Sequence, residues 1–151
     1  MAQFDSGHDP TAEAVRALRK ANLFDDQVVG DMLEAGASMM EQAISSAYVA
    51  AGHNAPGSPR RTGETLRHIG RSKKVQRDKS GAPYRVITVA GKDRRGQRYG
   101  TKAFVLNYGR RKGGKIPADY YWTNAVNNTR DRVSASMAEI AQQKIGGSDN
   151  A

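Results

Sequence analysis

The sequence predicts an α+β domain, in the order α-α-β-β-β-α, with an antiparallel sheet packed against long N- and C-terminal helices. Three observations carry that expectation. Apolar residues recur at three- and four-residue steps from Val29 to Tyr48 and again from Trp122 to Ile140, which marks one face of a helix in each segment. Between them, Pro83 to Ala90 is β-branched and aromatic, as a strand is. Gly, Asp and Ser punctuate the short joins at 78–82 and 91–100, which suits an antiparallel meander better than crossover units.

A chain of 151 residues fits one domain with a core of its own. We read residues 1–8 and 147–151 as flexible tails and 9–146 as the domain. Asp9-Pro10 starts a short first helix that runs to Ala21, with Asp9 able to cap it and Pro10 suited to its first position. Asp25-Asp26 opens the longer second helix and places negative charge at the positive end of its dipole. Its apolar face is Val29, Met32, Leu33, Gly36, Met40, Ala43, Ile44, Ala47 and Tyr48. Gly30 and Gly36 each cost about 1 kcal/mol against Ala inside a helix, so a close approach by another backbone is expected there.

Residues 52–63 hold three Gly and two Pro, which must end this helix. In the strand that follows, Tyr84, Val86 and Thr88 alternate with Arg85, Ile87 and Val89, and both faces are expected to be mostly covered. Ala103 to Tyr108 reads as a second clear strand, its aromatics facing the core, and Ile69 to Arg77 as a weaker, more exposed one. The last helix is entered through Ile116-Pro117-Ala118-Asp119 and stopped by Gly146-Gly147. Trp122, Val126, Thr129, Val133, Met137 and Ile140 form its stripe, and Tyr121 and Trp122 should fasten it to the sheet.

The net charge of +9 is unevenly spread. Residues 1–59 hold three Lys/Arg against eight Asp/Glu, residues 60–115 hold eighteen against three, and residues 116–151 hold three against four. A basic middle of this size points to a polyanion or an acidic protein as partner. We assign partner or DNA contact to Arg60, Arg61, Arg67, Lys73, Lys74, Arg94, Arg95, Arg110, Arg111 and Lys112. The longest strictly apolar run is Ala47 to Ala51, too short for a signal-peptide core or a membrane span, so no membrane partner is expected.

Catalytic chemistry finds little footing. With no cysteine there is no thiolate nucleophile, disulfide or cysteine-ligated zinc. His8, His53 and His68 have no carboxylate or second histidine at ligand spacing, so neither a metal nor a cofactor is expected. No serine sits in a G-x-S-x-G elbow. Gly109 to Lys115 does satisfy G-x-x-x-x-G-K after an apolar run. It then places Ile116 where a hydroxyl must hold magnesium and Pro117 where a phosphate-binding helix should already run. The segment therefore reads as a basic connection, and the chain as a non-enzyme. A basic nucleic-acid-binding domain is the alternative reading, because Tyr84, Tyr99, Phe104 and Tyr108 interleave with the Arg and Lys residues.

Three stretches together resemble the tailed-bacteriophage neck and tail-completion proteins, the family of head-tail joining and putative tail components. Pro59-Arg60-Arg61-Thr62-Gly63-Glu64-Thr65-Leu66-Arg67 is similar to the family's P-x-x-T-G-x-L-R-x-S stretch, with Glu64-Thr65 in place of a single spacer and Gly70 or Ser72 near the expected Ser. Phe104-Val105-Leu106-Asn107-Tyr108-Gly109 resembles its strand ending in an aromatic and Gly. Ile116 to Trp122, followed by Ala125, resembles its Pro-Ala-x-x-Phe-Leu lead into the last helix, with Tyr121-Trp122 where that family has a second Pro-Phe pair. The resemblance covers about residues 12–145. It implies a structural virion protein, a neck, tail-completion or tail-terminator subunit assembled in the host cytoplasm. Such a subunit forms a homo-oligomeric ring, sixfold by analogy, between the portal-side connector or adaptor and the tail tube protein. Genomic DNA passes through the lumen and can touch it non-specifically. A closed ring needs two different faces per subunit, which the acidic helical first part and the basic middle would supply.

Overall fold

The computed structural model describes residues 26–54 and 63–146, so the expected first helix and both tails lie outside the described residues. Helix α1 (Asp26–Ala50) and helix α4 (Tyr121–Gly146) are the long elements. Between them come a single turn α2 (Glu64–Arg67), strands β1 (Ile69–Arg71), β2 (Gln76–Arg77), β3 (Pro83–Tyr84) and β4 (Ile87–Val89), and helix α3 (Tyr99–Tyr108). The architecture is α+β, with long terminal helices and antiparallel pairing. None of the described helices is long and apolar enough to cross a membrane.

α1 and α4 run antiparallel and form the main interface of the fold. At one end Ile44 and Tyr48 of α1 meet Tyr121 and Ala125 of α4, and Ile69 of β1 closes the cluster. At the other end Met32 packs with Ala141. Midway, Gly36 removes a side chain where α4 comes close, since a Cβ there would stand 3.0 Å from Met137 Sδ and 3.1 Å from Val133 Cγ1. The expected close approach is thus real at Gly36, although side chains rather than backbone make it. A Cβ at Gly30 would meet nothing within 4 Å, so this glycine has no such role. α1 ends where Gly52 adopts φ +75, with the His53 N–H donating to Tyr48 O and the Gly52 N–H to Val49 O. This is the left-handed glycine stop that satisfies the last helical carbonyls.

The strands form one bent hairpin rather than a meander. β1 pairs with β4, Ile69 opposite Val89, and β2 pairs with β3, Gln76 opposite Tyr84. The Ser72 N–H donates to Val86 O at 2.9 Å and joins the two halves. Only one face is covered: Ile87 and Val89 pack on the core cluster, while Tyr84 and Val86 are exposed. With two strands and no second layer outside them, the alternation expected from the sequence has a partner on one side alone.

The segment 103–108 is not the expected third strand but the body of α3. A short, mostly apolar run does not distinguish a strand from a buried helical turn, and the deciding residues are Tyr99 upstream and the polar Asn107. Tyr99, Ala103 and Asn107, at steps of four, are all buried. On a strand the same face would also include Thr101 and Val105, yet Thr101 is exposed and Val105 only half-buried, so the pattern is helical.

Candidate interaction surface

Several of the basic residues are engaged within the chain. Arg71 donates from Nε and Nη2 to Glu34 Oε1 at 3.0 and 2.7 Å and from Nη1 to Glu41 Oε2 at 2.6 Å. Arg85 reaches the other oxygen of Glu34 from within the hairpin. Arg77 pairs with Asp26 at 2.7 Å and Lys144 with Asp31 at 3.5 Å. Every described carboxylate of α1 is therefore occupied by a cation of its own subunit, and the acidic helix is not the free face expected from the charge count. The hydrogen bond from Arg71, with the guanidinium charges of Arg71 and Arg85, holds the Glu34 carboxyl below the usual range.

What remains basic is concentrated on hairpin tips, two of which share one construction. Asp78 Oδ1 accepts the N–H groups of Ser80 and Ala82 at 2.8 and 2.9 Å, and Asp93 Oδ1 accepts those of Arg95 and Gln97 at 2.8 and 2.9 Å. Gly81 and Gly96, three residues after each Asp, carry φ of +83 and +78. Each tip is thus D-x-x-G, closed by its own aspartate. Lys102 adds a 2.6 Å bond to Asp93, and this contact, ahead of the turn's N–H groups, lowers the Asp93 pKa. The third tip spans the bridged pair Arg110 and Ile116, whose N–H groups each donate to the other's carbonyl at 2.9 Å.

Of the residues assigned from sequence, Arg60 and Arg61 lie outside the described residues. Arg67 is exposed at the end of α2, Lys73 and Lys74 at the bend between β1 and β2, Arg94 and Arg95 on the second tip, and Arg111 and Lys112 on the third. Arg110 differs in its role, because its guanidinium donates to Gly113 O at 2.8 Å and Gly114 O at 3.3 Å and so braces its own loop. These cations are thus spread over the end of α2, the bend between β1 and β2, and the second and third tips.

Sequence reasoning missed an aromatic strip. Phe104 and Tyr108 of α3 are 60% and 52% exposed, and Tyr120 is 49% exposed. Their rings form a chain, with centroids 4.7 Å apart for Phe104 and Tyr108 and 6.2 Å for Tyr108 and Tyr120. Tyr120 holds a φ of +55, unusual for a side chain of its size. Phe104 also borders a shallow depression lined by Val89, Lys92, Arg98 and Thr101, so the strip adjoins the second basic tip. The signal available was the four-residue step from Phe104 to Tyr108, which puts both on one helical face once α3 is read as a helix.

His53 is buried against Tyr48 and Tyr121, with ring centroids 5.2 Å from each. Its Nε2 lies 2.5 Å from Asp119 Oδ2, a carboxylate that local spacing does not reveal. Three His, Asp or Glu side chains do not converge in a metal-holding group among the described residues. Compared with known proteins, the chain matches no family model, no curated protein and no solved structure.

Proposed function

We propose that this protein is a non-catalytic assembly subunit, a neck, tail-completion or tail-terminator protein of a tailed bacteriophage that forms a ring between the head connector and the tail tube. The aromatic strip of Phe104, Tyr108 and Tyr120 carries the reading. Contiguous exposed aromatics rimmed by charge mark a docking surface, since a monomer gains nothing by keeping them in water. The strip and the basic tips are chemically different surfaces, and head-to-tail ring contacts require two unlike surfaces on each subunit. The resemblance of residues 59–67 and 116–125 to phage neck proteins supplies the setting, whereas residues 104–109, likened to a strand of that family, are helical here.

Mass photometry and negative-stain microscopy of the purified chain, alone and with the tail tube protein of the same particle, test this. A closed ring of defined subunit number is expected in at least one condition. A chain that stays monomeric in both overturns the reading. The basic tips favour a second reading, a nucleic-acid-binding domain, which predicts tight duplex binding by the monomer with a steep salt dependence.

A further inference from the structure

We propose that the loop of residues 111–115 is a phosphate-binding nest, a site that binds phosphate without hydrolysing anything. The Arg110 side chain folds back under this loop and donates to the carbonyls of Gly113 and Gly114. In a trans peptide the N–H points opposite to the C=O of the same unit. Two carbonyls aimed at Arg110 therefore aim the N–H groups of Gly114 and Lys115 to the opposite side, away from the guanidinium.

Gly113 and Gly114 carry φ of +73 and +101, the left-handed backbone that brings successive N–H groups to one side. The backbone N–H groups of residues 111–115 donate to nothing within the described residues. The outer side is open, since a Cβ at Gly113 would meet nothing within 4 Å. Arg111, Lys112 and Lys115 of the same loop are exposed. The base is fixed by the Arg110–Ile116 bridge and by Gly109, where a Cβ would stand 2.8 Å from Ile116 O. Outward N–H groups on a braced loop that carries three exposed cations fit a phosphate oxygen. The same features that fail as a nucleotidase, Ile116 and Pro117, do not affect anion binding, which needs neither magnesium nor a following helix.

The ligand is a phosphate group, either free or in the backbone of a nucleic acid. The site stands on the loop's own geometry and does not depend on ring formation. The experiment is a titration of ¹⁵N-labelled protein with pyrophosphate and, separately, with a short DNA duplex, following the Gly114 and Lys115 amides. Both amides should shift downfield at saturation with at least one ligand. Shifts with pyrophosphate alone identify a free phosphate group, and shifts with the duplex identify strand phosphates.

Two variants that keep the loop's charge separate the nest from a diffuse positive field. Arg110→Lys retains the cation but cannot brace both carbonyls, and Gly114→Ala strains the left-handed backbone. Each should weaken binding roughly fivefold or more, as loss of a charge-assisted hydrogen bond does, without changing the salt slope. Lys112→Ala should lower the slope by about one counterion. Amides that stay in place at saturation, or charge-preserving variants that bind as the parent does, overturn the proposal. Circular dichroism confirms that each variant is folded.

Discussion

The buried side chain of Asn107, 2% exposed, caps helix α4 at its first turn. Its Oδ1 accepts the N–H groups of Trp122 and Thr123 at 2.9 and 3.2 Å, and its Nδ2 donates to Thr123 Oγ1 at 3.0 Å. The Asn107 carbonyl also accepts the Tyr120 N–H at 3.0 Å. One residue of α3 thus satisfies two of the open amides of α4 and ties the two helices together, while Asp119 takes the Tyr121 N–H.

Asn107→Ala should destabilise the fold by about 2 kcal/mol, the sum of a lost cap and of buried N–H groups left without an acceptor. Asn107→Asp keeps the acceptor and can accept from the Thr123 hydroxyl, and the positive end of the α4 dipole offsets part of the cost of burying its charge, so it should cost less. Chemical denaturation of the two variants at neutral pH checks the order. Equal losses would mean that the acceptor is not what matters.

Much of the fold was legible in the sequence because long helices declare themselves through repetition. The Val29 to Tyr48 and Trp122 to Ile140 stripes placed α1 and α4 within a few residues of their observed spans. The 103–108 segment was not legible, since the residues that make it helical are Tyr99 and Asn107, one before the apolar run and one a polar group whose partners lie on α4. That error carried into the site: read as a strand, the segment turns Phe104 and Tyr108 inward, whereas on α3 they face solvent. The basic tips were found by charge alone. Which cations are engaged was not, because Arg71 meets Glu34 and Glu41 across a gap in sequence that no local pattern spans.

The two glycines of α1 should respond in opposite directions. Gly30→Ala fills open space and removes the helical cost of glycine, so it should stabilise the protein by about 0.5–1 kcal/mol. Gly36→Leu drives a branched side chain into Met137 and Val133 of α4 and should destabilise by about 1–3 kcal/mol. Thermal unfolding of both variants reads the sign directly. A Gly36→Leu protein as stable as the parent would remove the tight crossing of α1 and α4.

Acid should weaken the link between α1 and the hairpin. Glu34 is held below its ordinary value of 4.5, chiefly by the hydrogen bond from Arg71. A carboxylate whose folded pKa is depressed contributes stability that is fully present above its unfolded value and is lost as pH falls through the folded one. The stability curve should therefore slope downward below about pH 4.5, and Asp78 and Asp93, also depressed, add to the same limb. Glu34→Gln should be less stable than the parent at neutral pH, with the gap closing in acid as the parent's carboxyl takes up its proton. A gap that stays constant down to pH 2 would show that the charge of Glu34 is not what Arg71 and Arg85 respond to.

The aromatic strip separates assembly from folding. Phe104→Ser and Tyr108→Ser remove rings that are more than half exposed, so the double variant should hold its stability within about 1 kcal/mol. If the strip is an interface, the same variant should lose self-association, because central aromatic anchors dominate binding energy while neighbouring contacts add little. Arg94→Ala with Arg95→Ala serves as the counterpart: it leaves the strip intact and removes cations from the adjoining tip, so it should alter salt dependence more than the subunit number. Sedimentation velocity of the three proteins at two salt concentrations distinguishes these effects. A folded Phe104→Ser, Tyr108→Ser variant that still closes into the parent's ring would move the subunit contact off α3 and leave the strip without a role in assembly.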